Sequence, residues 1–208
     1  MARYVDSKCK LCRREGVKLF LKGSRCDTVK CSVVKRKSIP GQKSRRLKKL
    51  SEYGIHFREK QKLKRFYGVF ERQFRNYFAK SERKEGNTGQ NLLVLLERRL
   101  DNVLFHLGYG LSRSHTRQVI NHGHITVNGK KVDIASFLVK AGDVIKPKNS
   151  EKCSEFVKQN VDSRKSRNLP SWLEFDDVGL EGRVLHLPTQ DDVSIAIQEQ
   201  LVVELCSK

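Results

Sequence analysis

The 208-residue chain holds one methionine, one tryptophan and four prolines, and aromatic residues make up only 8% of it. Apolar residues reach 38%, against about 45–50% in an average globular domain. No apolar run approaches eighteen residues, which excludes a membrane-spanning helix. The opening Met1-Ala2-Arg3-Tyr4-Val5-Asp6-Ser7-Lys8 lacks an apolar h-region, so no secretory signal is expected. Six cysteines are too few for a disulfide scaffold, and clustered thiols in a reducing compartment point to metal first. A Gly-rich phosphate cradle is missing. The carboxylate pairs Asp176-Asp177 and Asp191-Asp192 have no companion base or nucleophile, so no catalytic site is expected.

Acidic residues are scarce beside basic ones: 23 against 43, a formal net charge of +20. The first hundred residues carry all of that excess, and the remaining 108 sum to zero. A compact chain at this charge repels itself unless a polyanion neutralises it. Nucleic acid is the first expected partner and no membrane role is expected.

Cys9, Cys12, Cys26 and Cys31 are spaced C-x2-C-x13-C-x4-C. Four thiolates suit tetrahedral zinc and leave no open position, so one structural Zn2+ is expected. Cys153 and Cys206 stand alone in the sequence and read as incidental. Around and after the cysteines the cations crowd, and Arg13, Arg14, Lys35, Arg36, Arg45, Arg46, Lys48 and Lys49 are candidate phosphate contacts. Pro40-Gly41 marks a turn among them.

From residue 63 the apolar positions Leu63, Phe66, Tyr67, Phe70, Phe74, Tyr77 and Phe78 fall at helical spacing. This predicts one helix with an aromatic inner face. Lys62, Lys64, Arg65, Arg72 and Arg75 lie off the stripe, and with Lys60 they extend the candidate basic face. Aromatics at such spacing are read as core rather than as stacking platforms. Thr88 is the expected cap of a second helical stripe, Leu92 to Leu107, closed by Gly108. Ser112 or Ser114 should cap a third helix. A strand at Ile125–Val127 follows, then Asn128-Gly129 as a hairpin turn, and a further turn at Ala141-Gly142-Asp143. His122 and His124 flank Gly123 like metal ligands, but without a third ligand nearby in sequence they read as turn residues.

Arg99-Leu100-Asp101-Asn102-Val103-Leu104, Ser112-Arg113, Arg117 and His122-Gly123-His124-Ile125-Thr126-Val127-Asn128-Gly129 resemble the small RNA-binding module named after bacterial small-subunit ribosomal protein four. The whole chain is similar to that family, through Cys9-x-x-Cys12-Arg13-Arg14-Glu15-Gly16, Pro40-Gly41-Gln42, Leu50-Ser51-Glu52-Tyr53-Gly54, Thr88-Gly89-Gln90-Asn91-Leu92-Leu93 and Pro170-Ser171-Trp172-Leu173-Glu174. Thr116, Ala135 and Lys43-Ser44 depart from the family pattern.

The resemblance implies an α+β fold: a mostly helical N-terminal domain with a zinc knuckle, plus an inserted module of two helices and short antiparallel strands. The expected divisions are a zinc-binding segment over 1–45, a helical domain over 46–91 and 158–208, and the module over 92–157. Arg113 and Arg117, one turn apart, and Lys130-Lys131 beside the hairpin are assigned to RNA by the resemblance. It implies a structural, cytoplasmic component of the small ribosomal subunit, present in single copy, that binds the 5′ domain of its RNA and nucleates assembly of the body. Small-subunit protein five and messenger RNA where it enters the particle are implied neighbours, with an effect on translational accuracy. An RNA-modifying enzyme would need a catalytic domain that the 60 or so residues after 146 cannot supply. A zinc-finger regulator of DNA would leave the module unexplained.

Overall fold

The structure is a computed structural model and describes residues 4–36, 38–42, 49–162 and 169–207. It is an α+β fold that divides into two compact units, one of residues 1–92 and 195–208, the other of residues 93–194.

In the first unit, α1 (Lys8–Glu15) and α2 (Ser32–Lys35) flank a single 3-10 turn, Gly23–Cys26. Helix α3 (Glu52–Phe66) starts at Ser51, whose Oγ accepts the Gly54 N–H at 3.2 Å. The predicted continuous helix through the aromatic stripe is in fact two, α3 and α4 (Glu71–Glu82). Gly68 breaks it. At φ +64° it takes the left-handed conformation that a β-carbon disfavours. The Gly68 N–H then returns to Arg65 O and the Val69 N–H to Lys64 O, the double bond that closes a helix C-terminus. The stripe survives the break: Leu63, Phe66, Tyr67, Phe74, Tyr77 and Phe78 are all buried core. Phe70, the N-cap of α4, is the member left exposed. Helix α9 (Glu199–Cys206) packs on α3, with Glu204 facing His56 at 3.5 Å and the Gln198 N–H meeting Glu59.

The unit division falls within α5 (Thr88–Glu97), whose cap is Asn87 rather than Thr88. The Asn87 Oδ1 accepts from the Gly89 N–H at 2.8 Å, so the amide side chain one residue earlier takes the capping position. The expected single stripe over 92–107 is also interrupted. Helix α6 (Leu100–Leu107) starts afresh because the loop at 135–139 supplies its first acceptors: the Leu100 N–H meets Phe137 O at 2.8 Å and the Asp101 N–H meets Ala135 O at 3.2 Å. Ser112, not Ser114, caps α7 (Arg113–Asn121).

Among the described residues one antiparallel sheet runs β2-β1-β3-β5-β4, formed by β1 (Ile125–Val127), β2 (Lys130–Lys131), β3 (Val144–Pro147), β4 (Leu173–Asp176) and β5 (Glu181–Val184). Asn128 (φ +50°) and Gly129 (φ +78°) make the expected two-residue hairpin. The module does not end at 157. Helix α8 (Glu151–Asp162) is followed by β4 and β5, which extend the same sheet, and Trp172 lies fully buried with Leu100, Leu104, Ile145 and Val184. The expectation that residues 158–194 return to the first domain is therefore corrected. Their apolar side chains find cover in the module, and β5 fills the open edge of β3. Gly182 in β5 runs so close to Leu107 of α6 that a β-carbon there would collide with it.

The module carries a charge at its centre. Asp101, 1% exposed, accepts a bidentate bond from Arg99 (Nε at 3.0 Å, a terminal nitrogen at 2.7 Å) and a second guanidinium from Arg117. The Thr116 hydroxyl donates to the Asp101 carbonyl at 2.8 Å. Removing this carboxylate takes an ion-pair partner from two arginines, one of them fully enclosed. Asp101→Ala is expected to cost about 3–5 kcal/mol in chemical denaturation. The exposed Asp133→Ala should be near neutral in the same measurement.

Candidate nucleic-acid interface

The basic residues separate into those that hold the fold and those that face outward. Arg113 is buried: its Nε donates to Asn102 Oδ1 at 2.8 Å and its guanidinium lies 4.4 Å from the centre of the Phe105 ring. Arg117 is committed to Asp101. The shared face predicted for these two residues exists, and it is turned toward the module's own interior.

On α3 the pattern repeats. Lys60 and Lys64 both reach Glu71, at 2.5 and 2.8 Å, and Arg75 approaches it at 3.5 Å. Partial burial works against the Glu71 charge, but the hydrogen bonds from the two lysines outweigh it and bring the carboxyl down to about 2. Lys62 pairs with Glu59 at 2.7 Å. Arg65 and Arg58 both hold Glu15, whose side chain is almost wholly enclosed. There burial dominates and raises the carboxyl, with the two guanidinium groups only partly offsetting it.

Others face solvent. Lys35, Arg36, Lys49, Arg72, Lys130 and Lys131 are exposed, as is Arg75 despite its approach to Glu71. Arg45, Arg46 and Lys48 lie outside the described residues. Arg13 donates to Ser38 O at 2.8 Å and Arg14 to Pro40 O at 3.0 Å, which fastens the Pro40-Gly41 turn against α1. This contact forms a groove of about 300 Å³, lined by Lys10, Arg14 and Arg65 with Leu11, Pro40 and Gly41. Three cations converge there from α1 and α3, with a glycine that lets a ligand approach the backbone. Sequence reasoning passed over Lys10. Its charge was visible, but its place opposite Arg65 depends on how α1 meets α3.

The cysteines lie beside this groove in the chain. Cys9 and Cys12 are one turn apart on α1, Cys26 closes the 3-10 turn, and Cys31 precedes α2. All four line one small cavity of about 10 Å³. The Lys22 N–H points at Cys26 Sγ at 3.4 Å, and the Leu19 backbone does the same for Cys12. Burial pushes the Cys12 and Cys26 thiols up, and neighbouring sulfurs add to the rise. Among the described residues, no three His, Cys, Asp or Glu donors are already drawn together as a metal-holding group. No helix among them is long and apolar enough to cross a membrane.

Comparison with known proteins covers the whole chain. The family described as "Ribosomal protein S4/S9 N-terminal domain" matches residues 3–97, and "S4 domain" matches residues 98–145. The chain is 54% identical to the "Small ribosomal subunit protein uS4" of Thermoanaerobacter sp. (strain X514) and to that of Ruminiclostridium cellulolyticum, over 100% of both chains in each case. It is 50% identical to the uS4 protein of Thermodesulfovibrio yellowstonii over the same full length. At that identity and coverage, the chain belongs to the uS4 family of small-subunit ribosomal proteins.

Proposed function

We propose that this protein is a structural, non-enzymatic component of the small ribosomal subunit that works in the cytoplasm by binding small-subunit ribosomal RNA. The observation that carries the reading is the full-length match to uS4 proteins, and the physical layout agrees with it. The excess positive charge belongs to the first hundred residues, where the groove lined by Lys10, Arg14 and Arg65 also lies. Folded RNA is read through shape, phosphates and 2′-hydroxyls, which suits a rigid cationic surface. In finer detail, we read the protein as a single-copy primary binder of the RNA's 5′ domain that nucleates the body of the particle. Its neighbours would be protein five and the incoming messenger RNA, and through them it would contribute to accuracy.

The groove cations and the buried arginines are expected to behave differently. With a transcript of the 5′ domain, neutralising about ten phosphates gives a slope of log K against log salt of roughly −7 to −9. The substitution Lys10→Ala should flatten that slope by about 1 while leaving the melting temperature nearly unchanged. Arg113→Ala should lower the melting temperature first. An unchanged slope in the groove variant would remove the groove from the interface.

Cys9, Cys12, Cys26 and Cys31 would hold one zinc ion, and the support is chemical. The donor set is four thiols around a common cavity, with backbone N–H groups aimed at two of the sulfurs. The ion would pin the first forty residues and supply no reactive position. Zinc binding to comparable peptides is worth roughly 10–16 kcal/mol. Chelation, or Cys9→Ser with Cys26→Ser, should accelerate amide exchange across residues 4–36 and spare residues 93–162. Exchange left unchanged by chelation would refute the zinc site.

A further inference from the structure

Cys153 and His124, 29 positions apart in the chain, meet in the second unit: the Cys153 sulfur lies 3.2 Å from His124 Nδ1. They line a cavity of about 370 Å³ together with His115, His122, Lys152 and Phe156. Each wall has its own support. His122 and His124 set their rings 5.8 Å apart across the Gly123 turn. His115 packs edge-on against Phe156 at 5.5 Å, and its Nδ1 accepts the Leu111 N–H. Cys153 is half-buried in the first turn of α8. Lys152 is exposed beside it, and among the described residues none of those lining the cavity is acidic.

We infer that this cavity is a reactive-thiol site, in which Cys153 exchanges with a small disulfide carrying carboxylates. The pieces match the chemistry. His124 Nδ1 takes the thiol proton, and the thiolate attacks one sulfur of the reagent. The new bond joins Cys153 to that sulfur as the reagent's own S–S bond breaks. The departing thiolate takes the proton back from the His124 imidazolium and leaves as a thiol. The reagent disulfide is the oxidant and no other is needed. Phe156 and Val157 offer an apolar floor for the aliphatic part, and Lys152 with the histidines attracts the carboxylates. Cys206, also half-buried but set among the charged groups Lys60, Glu71, Arg75 and Glu82, is the internal comparison.

The test exposes the full-length chain, with zinc supplied, to glutathione disulfide, then maps each cysteine by mass spectrometry over time. Cys153 is expected to react about tenfold faster than Cys206, and His124→Phe should remove most of that advantage. Cationic cystamine should react more slowly than glutathione disulfide at Cys153. The exposed change Lys152→Glu, which leaves packing intact, should reverse that order and so keeps the test decisive if His124→Phe misfolds. The inference fails if Cys153 is no faster than Cys206, if the His124 variant reacts as the wild type does, or if Lys152→Glu leaves the reagent preference unchanged.

Discussion

Asp101 is the constraint on which the module's architecture turns. A carboxylate with 1% exposure must be compensated in full, and it is, by Arg99 on one side and Arg117 on the other. Its backbone N–H is taken by Ala135 and its carbonyl by Thr116. One residue thereby ties together the start of α6, the body of α7 and the loop that leads to β3. Next to it, Asn102 links Arg113 to Glu97, and Glu97 faces His106 at 3.3 Å. The polar centre is continuous. The alternative, an apolar helix pair, would have no such fixed register.

The same residue type thus does two jobs in one chain. Arg99 and Arg117 contribute geometry through their planar forks, and their charge is set against the Asp101 carboxylate. A cation on the surface keeps its charge available, and only such a group releases counterions when a phosphate arrives. Glu71 shows the intermediate case. It gathers Lys60, Lys64 and Arg75 into one cluster, so that three cations are held in a defined arrangement at the cost of one of their charges. Partial neutralisation of this kind limits self-repulsion in a chain of +20.

Periodicity and turn chemistry made much of this fold legible. The aromatic stripe is core, the Asn128-Gly129 hairpin forms, and Gly108 closes α6 at φ +87°. What stayed hidden was relational. Nothing in Tyr67-Gly68 says that the helix stops there, because a glycine between two apolar residues is also tolerated inside a helix. Leu173-Glu174-Phe175-Asp176 alternates over only four residues and β5 does not alternate, and their membership of the sheet is decided by the free edge of β3. Charge counting found the basic residues but could not tell Arg113, turned inward, from Lys130, turned outward. Cys153 read as isolated because its partner, His124, is brought to it only by the strands and the turn between them.

The pairing of α3 with α9 has a consequence for how the protein is made. The first unit is discontinuous: its opening residues leave the synthesising ribosome early, yet the helix that covers α3 comes from residues 199–206. At about 5–20 residues per second, the intervening stretch takes on the order of ten seconds to appear. Residues 93–194 form a continuous unit and can complete their packing within that interval. The N-terminal unit starts first and finishes last, and for that time the side of α3 destined for α9 stays open to whatever is near the tunnel exit.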